Sequence, residues 1–280
     1  MKKQLHLTRA TLTVGVLVGS LTLLQAGDHS KAGGMAKAPA YAPPSDCDSC
    51  NEPGFYLNAA ALYLNSVAES DGYDGDWDLG GRLGIGYERP DGLFYEIEGF
   101  WWEGDAFRPG WPDVNYDVEH VAIDFLVGDN LYCGEVCLDI AFGVRYASYE
   151  REGRYAHFDK GWNKRHFHRS GDSFDFDGWG PTIELTATRQ LDGPWSLYGE
   201  FQQSLLFGET SGSSRRRGGG DSDTLASITE IAAGVQYSLG SMMGGLKDAY
   251  IRLGGEAQYW VIDGNDVGLY GASLGFGSTF

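Results

Sequence analysis

Two pairs of residues in this chain have the types and spacing for general acid–base chemistry, His120 with Asp124 and His157 with Asp159. Neither comes with a nucleophile on a strand-to-helix elbow, so a hydrolytic reading lacks the group that would form the covalent intermediate. His166-Phe-His168 would put two imidazoles on one face of an extended segment, where they could take a metal. With no fixed third ligand beside them, a solvated loop is the simpler reading, and no metal or cofactor is expected. Cys47-x-x-Cys50 and Cys133-x-x-x-Cys137 are the remaining reactive groups. Four cysteines allow three pairings, of which two local bridges are the default, with a four-cysteine zinc site as the alternative. Haem attachment would need a histidine after the second cysteine, and Asn51 stands there.

More numerous than any of these are carboxylates spaced two apart among apolar residues. They include Glu96 and Glu98, Asp117 and Glu119, and single acids at Glu88, Asp139, Glu184, Glu200, Glu230 and Glu256, with Arg82, Arg145 and Arg252 in similar settings. What these groups do depends on the elements that carry them.

The chain has 280 residues, 39 acidic against 21 basic, and a formal charge of −18. That argues against a nucleic-acid partner, which calls for a basic face. Glycine reaches 42 residues while proline is only 9, and aromatics make up 14%, which excludes both collagen-like and acidic disordered chains. Lys2, Lys3 and Arg9 precede an uncharged run from Ala10 to Leu24, a pattern that reads as an export signal over residues 1–26, with cleavage after Ala32 as the alternative. The run is shorter than the ~20 residues of a spanning helix, although an uncleaved anchor is the other reading. Those 26 residues hold three basic and no acidic groups, so the exported remainder stands at −21. Residues 27–53, with Ala-Pro and Pro-Pro steps and no apolar period, read as a periplasmic linker, and the folded domain is expected over 54–280.

Within that domain the apolar period is two. Trp77, Leu79, Leu83, Ile85 and Tyr87 alternate with Asp78, Arg82 and Glu88. Leu93, Tyr95, Ile97 and Trp101 alternate with Glu96 and Glu98, and Val136 through Tyr146 and Ala249 through Val261 repeat the pattern. Such runs exceed the ~5–6 residues usual in soluble sheets and meet the ~9–11 of a tilted membrane strand. Aromatics crowd the ends of the apolar faces, as interfacial girdles do. The opposite face carries glycine and charge, which suits a narrow wet lumen. The last strand alternates Tyr270, Ala272, Leu274, Phe276, Ser278 and Phe280. A terminal aromatic closing such a strand resembles the signal by which the barrel-assembly machinery recognises its substrates.

The fold class expected is therefore all-β, a closed antiparallel transmembrane barrel of about ten strands, with eight or twelve as alternatives. Strands fall near 55–65, 76–89, 93–103, 114–128, 136–150, 174–191, 195–208, 224–239, 249–262 and 267–280. Long connections at 151–173 and 209–223 alternate with short ones at Pro90-Asp91-Gly92 and Asp192-Gly193-Pro194, as outer loops and inner turns should.

Trp77-Asp-Leu-Gly-Gly-Arg-Leu-Gly-Ile-Gly-Tyr-Glu88, Gly143-Val-Arg-Tyr-Ala147, Phe176-Asp-Gly-Trp-Gly-Pro-Thr-Ile-Glu184 and Ser204-Leu-Leu-Phe-Gly208 resemble recurring segments of the Legionella-type pore-forming major outer-membrane protein family. The likeness spans about residues 55–280. It implies a β-barrel in the cell outer membrane with a porin-like role and no catalytic residue.

If the apolar faces point to lipid, the lumen is lined by Arg82, Glu88, Glu96, Glu98, Asp117, Glu119, Asp139, Arg145, Glu184, Glu200, Glu230, Arg252 and Glu256. Two interiors fit that list. One is plugged by Arg–carboxylate pairs, since small barrels are filled by side chains; the other is a narrow pore for small ions or solutes, cation-preferring because acids predominate. A non-conducting structural or adhesive barrel and, less favoured, an outer-membrane hydrolase are the alternative functions. The basic groups concentrate in 151–173, where Arg151, Arg154, Lys160, Lys164, Arg165 and Arg169 stand, and in Arg215-Arg216-Arg217. From outer loops Lys160, Lys164, Arg165, Arg169 and Arg215–Arg217 would pair with lipopolysaccharide phosphates beside outer-membrane lipid.

Overall fold

In the computed structural model, ten antiparallel strands close into a barrel, each paired to its sequence neighbours and the last to the first. The structure describes residues 53–68, 73–107, 114–132, 136–158, 165–213, 222–240, 247–262 and 265–280. The strands are β1 (Gly54–Ala68), β2 (Tyr73–Glu88), β3 (Phe94–Phe107), β4 (Val114–Tyr132), β5 (Val136–Phe158), β6 (Arg165–Gln190), β7 (Trp195–Ser213), β8 (Ser222–Gly240), β9 (Lys247–Ile262) and β10 (Asn265–Thr279). Among the described residues no helix is long and apolar enough to cross a membrane; strands make the crossings. The signal and linker expected over 1–53 lie outside the described residues apart from Pro53.

Period two sorts the side chains. Leu79 is 72% exposed, Phe207 64% and Phe142 61%, and these belong to a belt of large apolar residues around the whole exterior. A contiguous apolar surface of that extent marks a lipid-facing wall. Aromatic contacts rim it on both sides. Phe55–Tyr87 (5.0 Å) and Trp195–Tyr237 (4.8 Å) lie at the edge that carries Gly54 and Phe280, and Tyr63–Trp77 (5.3 Å), Trp77–Tyr270 (5.7 Å) and Tyr146–Trp179 (4.9 Å) lie at the other edge.

The two described inner turns close on the side of Gly54 and Phe280. Arg89–Leu93 is closed by two backbone hydrogen bonds, Arg89 N–H to Leu93 O and Gly92 N–H to Arg89 O, with Gly92 at φ +89°. At Leu191–Pro194 the equivalent position is Gly193 at φ +75°, again in the region where a Cβ is strained. Phe280 is 55% exposed, and its N–H donates to Phe55 O at 2.8 Å, which ties the terminus to the first strand.

Strand lengths depart from the sequence expectation on the outer side. The stretches 151–173 and 209–223, read as long loops, are strand wherever they are described: β5 continues to Phe158, β6 begins at Arg165, β7 runs to Ser213 and β8 begins at Ser222. β6 has 26 residues, and at roughly 3.3 Å per residue it is far longer than a tilted bilayer crossing requires. Beyond the lipid edge nothing forces alternation of apolar and polar residues, so the strand signal fades while cross-strand pairing continues.

The same edge reverses the faces. β4 keeps an unbroken register with β3 from Asn115 to Gly128, with its even residues inward. Asp117 and Glu119 therefore share the outward parity of Val121, Ile123 and Phe125, and they do not line the lumen. They join Glu103, Asp105, Glu150 and Glu152 in an acidic collar, with Glu103 opposite Glu119 and Glu119 opposite Glu150. The sequence expectation failed here because it equated polar with inward, which holds only within the lipid belt. In the outer half Tyr116, Val118 and Ala122 turn inward instead, and all three are buried.

Candidate functional site

The interior falls into three layers. Nearest the edge that carries Gly54 and Phe280 is a cavity of about 410 Å³ lined by Tyr56, Glu96, Glu98, Asp139, Glu184, Glu200, Tyr250 and Arg252. Gln190, Ser278 and Thr279, at the inner strand ends, also border it, which places its mouth at the inner rim. Inward parity puts Glu96 and Glu98 on β3, Glu184 on β6, Glu200 on β7 and Arg252 on β9. Tyr56 donates to Glu96 Oε2 at 2.9 Å, and Arg252 donates to Glu200 Oε1 at 2.6 Å and Gln236 Oε1 at 2.8 Å. The Arg252 guanidinium also stacks on Tyr198 and Tyr250, at 4.8 and 4.7 Å from the ring centres.

Across the middle runs an ionic layer. Arg145, 1% exposed, grips Asp124 with a two-pronged fork, Nε to Oδ1 at 2.7 Å and Nη2 to Oδ2 at 2.6 Å. It also donates to Gln202 Oε1 at 2.8 Å and to Glu230 Oε1. Arg82 takes the other Glu230 oxygen at 3.1 Å, Glu256 at 2.7 Å and Glu98 at 3.3 Å. Glu230 thus bridges two arginines that belong to β2 and β5. Thr182, Ser204 and Gln258, all buried, complete the layer: the Thr182 and Ser204 hydroxyls share a bond of 2.8 Å, and Gln258 Nε2 donates to Glu256 Oε1 at 3.0 Å.

Outward of this layer the lumen is filled. Leu62, Leu64, Trp102, Tyr149, Phe176, Leu206, Ile228, Trp260 and Leu269 are at most 1% exposed. They form one continuous cluster with Tyr73, Phe100, Tyr116 and Val118. Some of its polar groups are paired: the Tyr73 and Tyr149 hydroxyls share a bond of 2.9 Å, Trp260 Nε1 donates to Gln258 Oε1 and Trp102 Nε1 to Asp78 O. Arg151, expected in a solvated basic loop, faces inward on β5 with its guanidinium over Tyr116 at 5.4 Å and near Tyr73 and Phe174.

His120 sits inside this plug, fully buried, with Tyr149, Trp260 and Trp102 rings at 4.8, 4.9 and 5.7 Å. Neither ring nitrogen has a hydrogen-bond partner. The candidate acid–base pair His120–Asp124 is therefore not formed, because Asp124 is held by Arg145.

Of the residues expected to line the lumen, Arg82, Glu88, Glu96, Glu98, Asp139, Arg145, Glu184, Glu200, Glu230, Arg252 and Glu256 all face inward, whereas Asp117 and Glu119 do not. The interior plugged by Arg–carboxylate pairs, one of the two expected, is seen in the pairs of Arg82 and Arg145; sequence reasoning missed Asp124 and Gln202 as members of that layer, and missed the aromatic and aliphatic filling outward of it. Asp124 is in phase with His120 and Leu126 on β4, so strand parity was the available signal. Cys137 is disulfide-bonded; Cys47, Cys50 and Cys133 lie outside the described residues. Arg165 and Arg169 lie on β6, opposite Phe158 and Arg154. Lys160, Lys164, Asp159 and Arg215–Arg217 lie outside the described residues. Among the described residues no group of three or more His, Cys, Asp or Glu is arranged to hold a metal ion.

No family model and no curated protein matches the chain. Solved structures do. The outer membrane protease OmpT from Escherichia coli aligns over 81% of this chain and 97% of its own, with 11% identity and a TM-score of 0.51. A major outer membrane protein from Thermus thermophilus aligns over 82% of this chain and 100% of its own, with 14% identity and a TM-score of 0.41. The likeness to the first of these, with its TM-score above 0.5, shows the fold: a barrel of the outer-membrane type.

Proposed function

We propose that this chain is an outer-membrane barrel that does not conduct in the state described: a sealed envelope protein with a polar vestibule open to the periplasm. One observation carries this reading, the continuous aromatic and aliphatic plug around Trp102, Tyr149, Phe176 and Trp260. A water-filled path needs polar walls along its length, and the side chains that fill this part of the lumen are predominantly apolar. The inner rim is assigned to the periplasm because the tight turns at 89–93 and 191–194 lie there, as in bacterial barrels generally. The resemblance to the Legionella-type major outer-membrane protein family is consistent with the same location.

The cation-preferring pore is the second reading, favoured by the acid excess around the vestibule, and it requires the plug to part. A hydrolytic function has weaker support, although one protein of this fold is an outer membrane protease; the imidazole of His120 has no acidic partner. Phe280 is assigned the role of assembly signal. Lys160, Lys164, Arg165, Arg169 and Arg215–Arg217 are assigned to lipopolysaccharide phosphates.

Refolded protein in a planar bilayer tests the proposal. Heat-modifiable mobility on a detergent gel first establishes that the sample is folded. Such a sample should then give no stepwise current at moderate voltage. Regular conductance steps from the unmodified chain would favour the pore.

A further inference from the structure

Outside the lipid belt the β5–β6 hairpin runs on without its neighbours. The pairing of β4 with β5 ends at Val114 opposite Tyr155, and that of β7 with β6 ends at Ser213 opposite Ser173. Past the irregularity between Glu152 and Arg154, β5 and β6 keep an unbroken register from Arg154 opposite Arg169 to Phe158 opposite Arg165. A two-stranded ribbon is marginal in water by itself, so its hold is expected to come from what its two faces carry.

The register assigns residues to those faces. His157 stands directly opposite His166, and Tyr155 directly opposite His168. Because side chains alternate along a strand, Tyr155, His157, His166 and His168 share one face of the ribbon, while Arg154, Arg165 and Arg169 take the other. Three of the chain's six histidines therefore fall at adjoining positions on a single face, and the arginines of the ribbon are kept off it.

That grouping has a specific chemistry. His166-Phe-His168 offers two imidazoles and lacks a third ligand; the register supplies the third in His157. Directly opposed residues have Cβ atoms about 4.5–5.5 Å apart, and same-face neighbours along one strand are about 6–7 Å apart. Three imidazoles on such a triangle can converge on one ion at the ~2.0–2.1 Å of a zinc–nitrogen bond, with a fourth position left for water or another donor. Neutral imidazole suits zinc and the neighbouring late transition metals, whereas magnesium and calcium take oxygen ligands. Among the described side chains no ready-made ligand set stands; this one follows from backbone register.

We propose that His157, His166 and His168 form a surface site for one divalent transition-metal ion of the zinc class, which staples β5 to β6 outside the membrane. This goes beyond the reading of a sealed barrel and does not rest on it, since the hairpin continues past the outer aromatic pair Tyr146–Trp179 whether or not the lumen conducts.

Calorimetric titration of the untagged, metal-stripped, folded full-length barrel with zinc chloride tests the site, with magnesium chloride as competitor. One zinc per barrel is expected, and magnesium should not displace it. His157→Gln, His166→Gln and His168→Gln should each weaken zinc by about tenfold or more, since the loss of even an outer-shell partner costs about 10–100-fold. His157→Gln is the decisive variant, because it keeps the His-x-His pair and removes only the residue that the register adds. Cys47→Ser combined with Cys50→Ser should leave zinc affinity unchanged, which separates this site from a cysteine one. All five substitutions lie outside the bilayer, and heat-modifiable mobility verifies that each variant folds. The proposal is overturned by the absence of saturable zinc binding, by His157→Gln binding zinc as tightly as the unmodified chain, by magnesium displacing zinc, or by the cysteine variant losing as much affinity as the histidine variants.

Discussion

Arg145→Met should lower the stability of the folded barrel by about 3–5 kcal/mol, the usual cost of removing one partner from a buried ion pair. The guanidinium is 1% exposed and satisfies Asp124, Gln202 and Glu230 at once. Methionine fills most of its volume but leaves Asp124 and one Glu230 oxygen without a donor, deep in the lumen. The urea midpoint for unfolding in lipid vesicles, followed by tryptophan fluorescence, reads this directly. A second substitution, Asp124→Leu, removes one of the stranded acids and should recover part of the loss, because replacing a buried pair by apolar groups is often neutral. A midpoint unchanged by Arg145→Met would mean that the ionic layer does not hold the barrel together.

Trp102→Ala with Trp260→Ala should open the outer half. Both indoles are fully buried on facing walls of the plug and pack against His120. Each truncation should cost about 3–5 kcal/mol, and the space left lies beside an imidazole whose nitrogens have no partner, a place where water gains hydrogen bonds by entering. In planar bilayers the double variant should conduct. Its current should be cation-selective, since Glu96, Glu98, Glu184 and Glu200 border the inner path. Selectivity should shrink as the Debye length falls from ~10 Å at 0.1 M to ~3 Å at 1 M salt, and Glu96→Gln with Glu98→Gln should reduce it further. If the folded double variant remained silent, the aromatic plug would not be the barrier.

Ten strands, the two tight inner turns and the lipid-facing belt were legible in the sequence because lipid enforces period two between the aromatic girdles. Trp77 to Tyr87 shows this well: every large apolar residue there is outward. Outside the belt the rule lapses. Asp117 and Glu119 lie on the same face of β4 as Ile123 and Phe125, and only the unbroken register reveals it. The plug was hidden for a related reason, since Tyr116, Val118, Trp102 and Trp260 look like belt residues until their parity is compared with the segment nearer the termini. Arg82–Glu256 and Arg145–Glu230 are separated by 174 and 85 residues. Nothing in the local pattern pairs them; barrel closure does. The basic stretch around Arg151 read as loop because polar residues dominate both of its faces, yet β5 and β6 pair through it.

Cysteine accessibility tests the division of the lumen most directly. Single substitutions Thr186→Cys, bordering the vestibule, and Leu206→Cys, in the plug, can be treated with a water-soluble maleimide in the folded barrel, with the unsubstituted chain as background. Thr186 borders the cavity and Leu206 is fully buried, so Thr186→Cys should label readily and Leu206→Cys only after denaturation. Rapid labelling of Leu206→Cys in the folded state would contradict a sealed outer half.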